Sequence, residues 1–79
     1  MLMSGRQCSA ARSLLGWSSA QLAEAAKVGQ ATVKRFEAGD SVRDTSVGAI
    51  RAALEEAGLM FIAAGESATT GGEGVRRRT

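Results

Sequence analysis

The sequence contains no histidine and no proline, and its only cysteine is Cys8. One cysteine cannot form a disulfide within a single chain, and a chain without histidine provides no Cys/His cage for a metal ion. Aromatic residues make up only 4% of the 79 residues, and alanine carries much of the apolar content. Because alanine has the highest helix propensity and no proline interrupts the chain, we expect a single small domain that is mainly helical.

Long hydrophobic runs are also missing. No apolar stretch approaches the roughly 20 residues that a membrane-spanning helix needs, and no secretory signal is visible, so we expect a cytoplasmic protein. The chain has no cysteine pair, no glycine-rich phosphate loop and no pair of carboxylates suited to a catalytic pocket. The sequence therefore does not indicate an enzyme, and it implies neither a cofactor nor a metal site.

The charge balance is close to even. Ten basic and eight acidic residues give a formal net charge of +2 at pH 7. This total is too small to predict a nucleic-acid partner, so the distribution of charge has to decide. The basic residues are concentrated at Lys27, Lys34, Arg35 and Arg43, and again at residues 76–78.

Hydrophobic spacing and capping residues divide the first 58 residues into four predicted helices. In chain order these helices cover about 5–15, 19–26, 30–38 and 45–57. Ser18 or Ser19 can cap the second helix, and Asp44 or Thr45 can cap the fourth. Residues 1–4, which precede the first helix, are expected to be frayed.

One face of the first predicted helix is apolar. Its members are Cys8, Ala11, Leu14 and Leu15. Cys8 is therefore interpreted as a small buried hydrophobe. Trp17 follows this helix, and we expect it in the core or covering the junction with the second helix. A position at an interface is the alternative for Trp17.

Residues 59–79 are expected to form a strand, a polar loop and a second strand. The apolar run "LMFIA" suits a strand, "AGESATTGGEG" suits a flexible loop, and "VRRRT" can pair back on the first strand. Because a two-stranded ribbon alone is marginal in water, we expect it to pack on the helices or on a second chain. Residues 76–78 are interpreted as a solvated tail, with an edge strand near nucleic acid as the alternative.

The third predicted helix separates into two sides when it is turned by 100° per residue. Val33 and Phe36 mark the buried side. The outward side carries Gln30, Ala31, Lys34, Arg35 and Ala38. This side has cations, an amide and small residues but no acid, so it can approach a nucleic-acid groove closely. A solvated helix face is the ordinary alternative. The side also lacks aromatic residues for stacking on bases, which argues against RNA.

The two helices before and after residue 28 share one interior. Their common apolar positions are Leu22, Ala23, Ala26, Val28, Val33 and Phe36. This pattern is typical of a helix-turn-helix, which presents its second helix to the major groove of DNA.

Residues 8–58 resemble the lambda-repressor-like, Cro/C1-type (Xre family) helix-turn-helix domain. The resemblance is carried by "ARSLLGWSSAQLAEAAKVGQATVKRFEAG" and by "TSVGAIRAALEEAGLMFI". It implies a four-helix domain with a short C-terminal β-ribbon that binds double-stranded DNA and regulates transcription. The helical core would cover 5–58 and the strand-loop-strand extension 59–79.

The resemblance also implies roles for individual residues. Positions that face base edges correspond to Gln30, Ala31, Lys34 and Arg35. Ser19 matches a phosphate-contacting position that usually holds glutamine, and Lys27 stands in the turn where glycine is usual. Arg12 and Glu37 resemble an ion pair that ties the first helix to the third.

Two further residues have open roles. Thr32, on the flank of the third helix, either touches a phosphate or is only a flank residue. Arg43 is either a phosphate clamp or a solvated loop residue. Because so small a domain buries little surface on DNA, we expect a homodimer on an inverted repeat, with contacts from the C-terminal strands and the fourth helix. The alternative function is an antitoxin or anti-activator type of protein-interaction module.

Overall fold

The computed structural model describes residues 3–62 and 74–77. Its elements are α1 (Gly5–Leu15), α2 (Ser19–Ala26), α3 (Gln30–Glu37), α4 (Asp44–Glu56), β1 (Leu59–Ile62) and β2 (Gly74–Arg77). The protein is mainly helical, and the four predicted helices are confirmed. No helix in the described ranges has the length and apolar content required to cross a lipid bilayer.

The first two helices, α1 and α2, both begin with a capping box. The Gln7 amide N–H donates to Ser4 Oγ at 3.1 Å, and the Ser4 N–H donates to Gln7 Oε1 at 2.9 Å. Ser18 and Gln21 repeat this reciprocal capping at the start of α2. Each capping box satisfies two backbone donors that a helix start otherwise leaves unpaired.

The expected fraying at the N-terminus is wrong for residues 3 and 4. Met3 is buried in the core, and Ser4 caps α1 through its side chain. The apolar contact and the two capping hydrogen bonds hold this segment against the helices. Residues 1 and 2 lie outside the described residues.

The start of α4 also differs from the expectation. Its N-cap is Arg43, which makes no side-chain capping bond, and Asp44 is the first helical residue. A carboxylate in the first turn still favours the helix because it faces the positive end of the helix dipole. The prediction that Asp44 or Thr45 caps this helix is therefore wrong.

The core lies between all four helices and β1. Its largest fully buried side chains are Leu22, Ile50, Leu54, Leu59, Val33 and Cys8. Trp17 is half-buried and packs against this cluster. Leu14, which was expected on the apolar face of α1, is 41% exposed. It lies about 120° round the helix from Cys8, so it leaves the buried side.

The two strands pair antiparallel, with Leu59 opposite Arg77 and Ile62 opposite Gly74. β1 packs beside α4 and β2 packs against α1. The Arg51 guanidinium of α4 lies 5.2 Å from the centroid of the Phe61 ring, which adds a cation–π contact between helix and strand. Apart from Gly74, the predicted loop over 64–74 lies outside the described residues, as do residues 78 and 79.

Candidate nucleic-acid interface

A turn of three residues, 27–29, joins α2 to α3. Lys27 has a left-handed backbone, with φ of 59°, and is the only non-glycine residue with positive φ in the described part of the chain. The Val28 N–H donates to the Ala23 carbonyl at 3.0 Å, which closes the end of α2. A left-handed conformation is unfavourable for a side chain with a Cβ, so the tight turn is made here at a cost in stability.

We expect Lys27→Gly to raise the free energy of unfolding by about 0.5–1 kcal/mol, because glycine adopts this conformation without steric cost. Urea denaturation measures the effect. If Lys27 also meets a phosphate, the same change should reduce the slope of log affinity against log salt by about 0.9. Lys27→Arg, which keeps the charge and the strain, is the control and should change neither quantity. Unchanged or lower stability of Lys27→Gly would contradict the expectation.

The outward surface of α3 has the composition predicted for it. Val33 and Phe36 point into the core. Gln30, Ala31, Lys34 and Arg35, which we call the outer face of α3, are all exposed, and Thr32 on its flank is half-buried. The outer face contains two cations and an amide, with alanine between them and no acid.

A hydrogen bond joins the starts of α2 and α3. Gln30 Nε2 donates to Ser19 Oγ at 3.0 Å. Because the serine oxygen is the acceptor, its hydroxyl hydrogen is available to donate to a phosphate. The same bond orients the Gln30 side chain and leaves its Oε1 as an acceptor. The two residues are eleven positions apart, and only the packing of the helices brings them together.

A groove beside the outer face collects further basic and hydroxyl groups. This basic groove encloses about 530 Å³ and is lined by Thr32, Arg35, Ser41, Val42, Arg43 and Ser46. It unites Thr32, Arg35 and Arg43, which the sequence pattern does not group together. It also includes Ser41 and Ser46, which the sequence pattern did not indicate and which come from the loop after α3 and the first turn of α4. Guanidinium and hydroxyl donors without an acid are suited to an oxyanion such as phosphate.

The carboxylates of residues 40 and 44 line a neighbouring groove, which shares Ser41 and Val42 with the basic groove. Asp40 and Asp44 line a second groove of about 590 Å³, which we call the acidic groove. Its other lining residues are Met3, Phe36, Ser41, Val42 and Val47. Acidic and basic side chains of the 40–44 segment therefore line different grooves, and the basic groove holds no acid.

Arg12 and Glu37 form an ion pair in the structure. Arg12 donates from Nε to Glu37 Oε2 at 2.7 Å and from Nη2 to Oε1 at 2.8 Å. The third contact of the guanidinium is from Nη1 to the Trp17 carbonyl at 3.0 Å. Arg12 thus joins the end of α3 to the junction of α1 and α2. The side chains are 22% and 13% exposed, so water competes weakly for this pair.

Cys8 adds a third group to this cluster. Its Sγ lies 3.2 Å from Glu37 Oε2 and donates to it. Burial, together with the hydrogen bond to Glu37, raises the pKa of the Cys8 thiol far above its ordinary value, so the thiol keeps its proton. Burial by itself would raise the pKa of Glu37, but the hydrogen bonds from Arg12 and Cys8 and the charge of Arg12 outweigh it and lower that pKa.

The lowered pKa of Glu37 makes part of the stability depend on pH. Above the unfolded-state pKa of about 4.3 the charged carboxylate contributes its full stabilisation, and this is lost as the pH falls through the lower folded-state value. We expect Glu37→Gln to be less stable than the wild type at pH 7, with the difference shrinking below about pH 4. Urea denaturation across this range measures it. A difference that stays constant with pH would contradict the assignment.

No protein-family model matches the sequence, and no curated protein matches it significantly. The family resemblance and the DNA-binding roles of the outer face therefore stay predictions. Their support is the residue pattern together with the placement of these side chains in the structure.

Proposed function

We propose that the protein is a sequence-specific DNA-binding regulator of transcription. In this proposal it is a lambda-repressor-like helix-turn-helix domain with a C-terminal two-stranded ribbon, located in the cytoplasm. The observation that carries the proposal is the outer face of α3, which is cationic and free of acids, on a helix whose opposite side packs against α2 in the shared core. A helix held in this way can enter the major groove as a rigid unit.

Phosphate contacts would set the position of the protein on the duplex. The Ser19 hydroxyl beside Gln30 and the basic groove with Arg43 offer donors next to the outer face, and Lys27 adds an exposed cation in the turn before α3. These contacts are independent of sequence and depend on salt. They would fix the depth and the register at which α3 meets the bases.

Base recognition would come from Lys34, Arg35 and Gln30, with Ala31 allowing close approach. A cation in the major groove pairs best with guanine O6 and N7. Gln30 is more restricted, because its Nε2 already donates to Ser19. Its Oε1 can accept from the amino group of adenine or cytosine, whereas bidentate pairing with adenine requires the Ser19 bond to break.

The placement of the acids supports the same proposal. Glu37 is adjacent to the outer face in sequence, but it turns toward Arg12 and Cys8 and is neutralised there. Asp40 and Asp44 line the acidic groove. An anionic backbone can therefore approach the outer face and the basic groove without meeting an unpaired carboxylate on either.

The size of the domain favours a homodimer on an inverted repeat. Single small modules bury little surface on DNA, and specific binding usually requires a second copy or a second module. A two-fold dimer would present two copies of α3 to half-sites about one helical turn apart.

Selection of bound duplexes from a random DNA library tests the proposal, at roughly 150 mM salt to suppress non-specific phosphate binding. Enrichment of an inverted repeat would support a dimeric sequence reader. Enrichment of one half-site would support the function without the dimer. Absence of any enriched sequence would overturn the proposal.

The second candidate is a protein-interaction module of the antitoxin or anti-activator type. The acidic groove favours it, since an apolar floor of Met3, Phe36 and Val47 beside two carboxylates suits a basic, partly apolar partner segment. A stable complex with the product of a co-expressed neighbouring gene would support this candidate. Failure of the DNA selection together with such a complex would make it the better assignment.

A further inference from the structure

The acidic groove combines an apolar floor with a charged rim. Met3, Phe36 and Val47 form the floor, and each is a buried member of the core. Asp40 and Asp44 stand on the rim and are exposed. An apolar centre within a polar, solvated rim is the usual anatomy of a surface that binds another protein.

The two rim carboxylates have no partner of opposite charge within the described residues. Neither Asp40 nor Asp44 takes part in an ion pair or a side-chain hydrogen bond there. No lysine or arginine in the described ranges lines the acidic groove. Its negative charge is therefore uncompensated, and a cation from another molecule would complement it.

A metal ion or a small molecule does not suit this groove. The described ranges contain no group of three or more acidic, histidine or cysteine side chains that could hold one ion, and an apolar floor offers a metal no ligand. Pockets for small molecules enclose most of the ligand, whereas this groove is open along a rim where Asp40, Ser41 and Asp44 are all exposed. An open groove of about 590 Å³ suits side chains that project from a larger partner.

We propose that the acidic groove binds a basic, partly apolar segment of a second protein, and that it does so while the regulator is on DNA. A lysine or arginine of this segment would meet Asp40 and Asp44, and a neighbouring apolar side chain would cover the floor. The phosphate backbone itself is repelled by the two carboxylates. The part of the proposal that concerns DNA rests on the proposed function, whereas the docking of the segment does not.

The acidic and basic grooves are neighbours, so that binding at one affects binding at the other. Both include Ser41 and Val42 in their walls, and Asp44 directly follows Arg43 in the chain. Charges this close are poorly screened, because the screening length is about 8 Å at physiological salt. The two carboxylates thus weaken the attraction of the basic groove for phosphate, and a cationic segment that neutralises them would strengthen DNA binding.

Selection from a displayed library of random peptides tests the docking. Enriched peptides are expected to combine a lysine or arginine with an apolar residue. A synthetic peptide of the enriched sequence should bind the Asp40→Asn, Asp44→Asn double variant roughly fivefold to thirtyfold more weakly than the wild type, as expected for the loss of two partly exposed ion pairs. It should also shift the methyl NMR signals of Val42 and Val47, which line the groove.

Glu24→Gln combined with Glu56→Gln is the matched control. Both glutamates are exposed, on α2 and α4, and lie outside the acidic groove. The change in net charge equals that of the double aspartate variant, and the control should bind the peptide as the wild type does. Asp40→Asn alone replaces the double variant if loss of the Asp44 charge from the first turn of α4 disturbs the fold, which circular dichroism would show.

Several outcomes would overturn the docking. They are a selection that enriches no peptide, a peptide that binds the aspartate variants as tightly as the wild type, and a free alkylamine that binds as tightly as the peptide. Wild-type dimers that Asp40→Asn dissociates would also overturn it, because the occupant would then be a second copy of this chain.

DNA binding separates this inference from the proposed function. The peptide should raise the affinity for the selected duplex roughly fivefold or more, and the duplex should raise the affinity for the peptide by the same factor, since coupling between two sites is reciprocal. The double aspartate variant should show no coupling. A peptide that competes with the duplex would overturn simultaneous binding. If the wild type binds no selected duplex, the proposed function fails, while the peptide selection still decides the docking.

Discussion

Replacing both Lys34 and Arg35 by alanine is expected to abolish sequence-specific DNA binding. Each well-placed contact between a cation and a base is worth about 1–3 kcal/mol of discrimination. Loss of two such contacts would remove about 2–6 kcal/mol, a fall in affinity of roughly 30-fold to more than 10⁴-fold. Fluorescence anisotropy with the selected duplex and with a scrambled duplex measures both the affinity and the specificity.

The fold of this double variant should remain intact. Both side chains are exposed, and neither takes part in the ion pairs or side-chain hydrogen bonds found among the described residues. Both lie in the last turn of α3, where a cation stabilises the helix dipole by about 0.3–1 kcal/mol. The higher helix propensity of alanine offsets part of that loss. Circular dichroism and the denaturation midpoint check this point.

A charge control separates a specific contact from a general loss of positive charge. Arg6 is exposed on α1, outside the outer face of α3 and the basic groove. Arg6→Ala changes the net charge by the same amount as Lys34→Ala or Arg35→Ala alone, and it should leave the affinity nearly unchanged. Unchanged affinity of the double variant would remove α3 from the proposed interface.

The helices could be predicted from the sequence because their signals are local. The span of α2 matches the predicted 19–26, since Ser18 caps its start and the apolar spacing defines its length. Val33 and Phe36 could be assigned to the core side of α3 from periodicity alone. Leu14 could not be assigned correctly, because its neighbours in sequence do not show how far round α1 the core extends.

The candidate site could be predicted only in part. The outer face of α3 follows from the helical period. The Ser19–Gln30 bond and the basic groove depend on how separate elements pack, and no sequence spacing indicates them. Ser46 is an example. It lines the basic groove only because α4 packs beside α3, and the sequence does not show this packing.

Gly5 is another position whose role is visible only in the packing of the helices. We expect Gly5→Ala to lower the free energy of unfolding by about 3 kcal/mol, which is the upper end of the range for overpacking. A Cβ at this position would collide with the carbonyl oxygen of Phe36 and would lie 3.0 Å from the Cα of Glu37. Both obstacles are backbone, so no side-chain rotation relieves them. Urea denaturation of the variant measures the loss.

The direction of the stability change in Gly5→Ala is informative, because helix propensity and chain entropy both predict that alanine would stabilise the protein. In a helix, alanine is favoured over glycine by about 1 kcal/mol, and glycine has the larger entropy loss on folding. A destabilised Gly5→Ala therefore shows that the close contact between the start of α1 and the end of α3 outweighs both. If the variant is as stable as the wild type, α1 does not pack against Phe36 as the structure has it.

Gly29→Ser is the control for loss of a glycine in the same domain. Gly29 is the N-cap of α3, and the nearest atom to an added Cβ is Thr32 Oγ1 at 3.8 Å, an ordinary contact. Serine at an N-cap can accept a hydrogen bond from a backbone N–H of the helix. The free energy of unfolding of Gly29→Ser should therefore stay within a few tenths of a kcal/mol of the wild-type value or exceed it.

A clash in Gly5→Ala that moves α1 away from α3 also pulls Glu37 away from Arg12. Gly5→Ala should therefore lose part of the pH dependence assigned to Glu37, whereas Gly29→Ser should keep it.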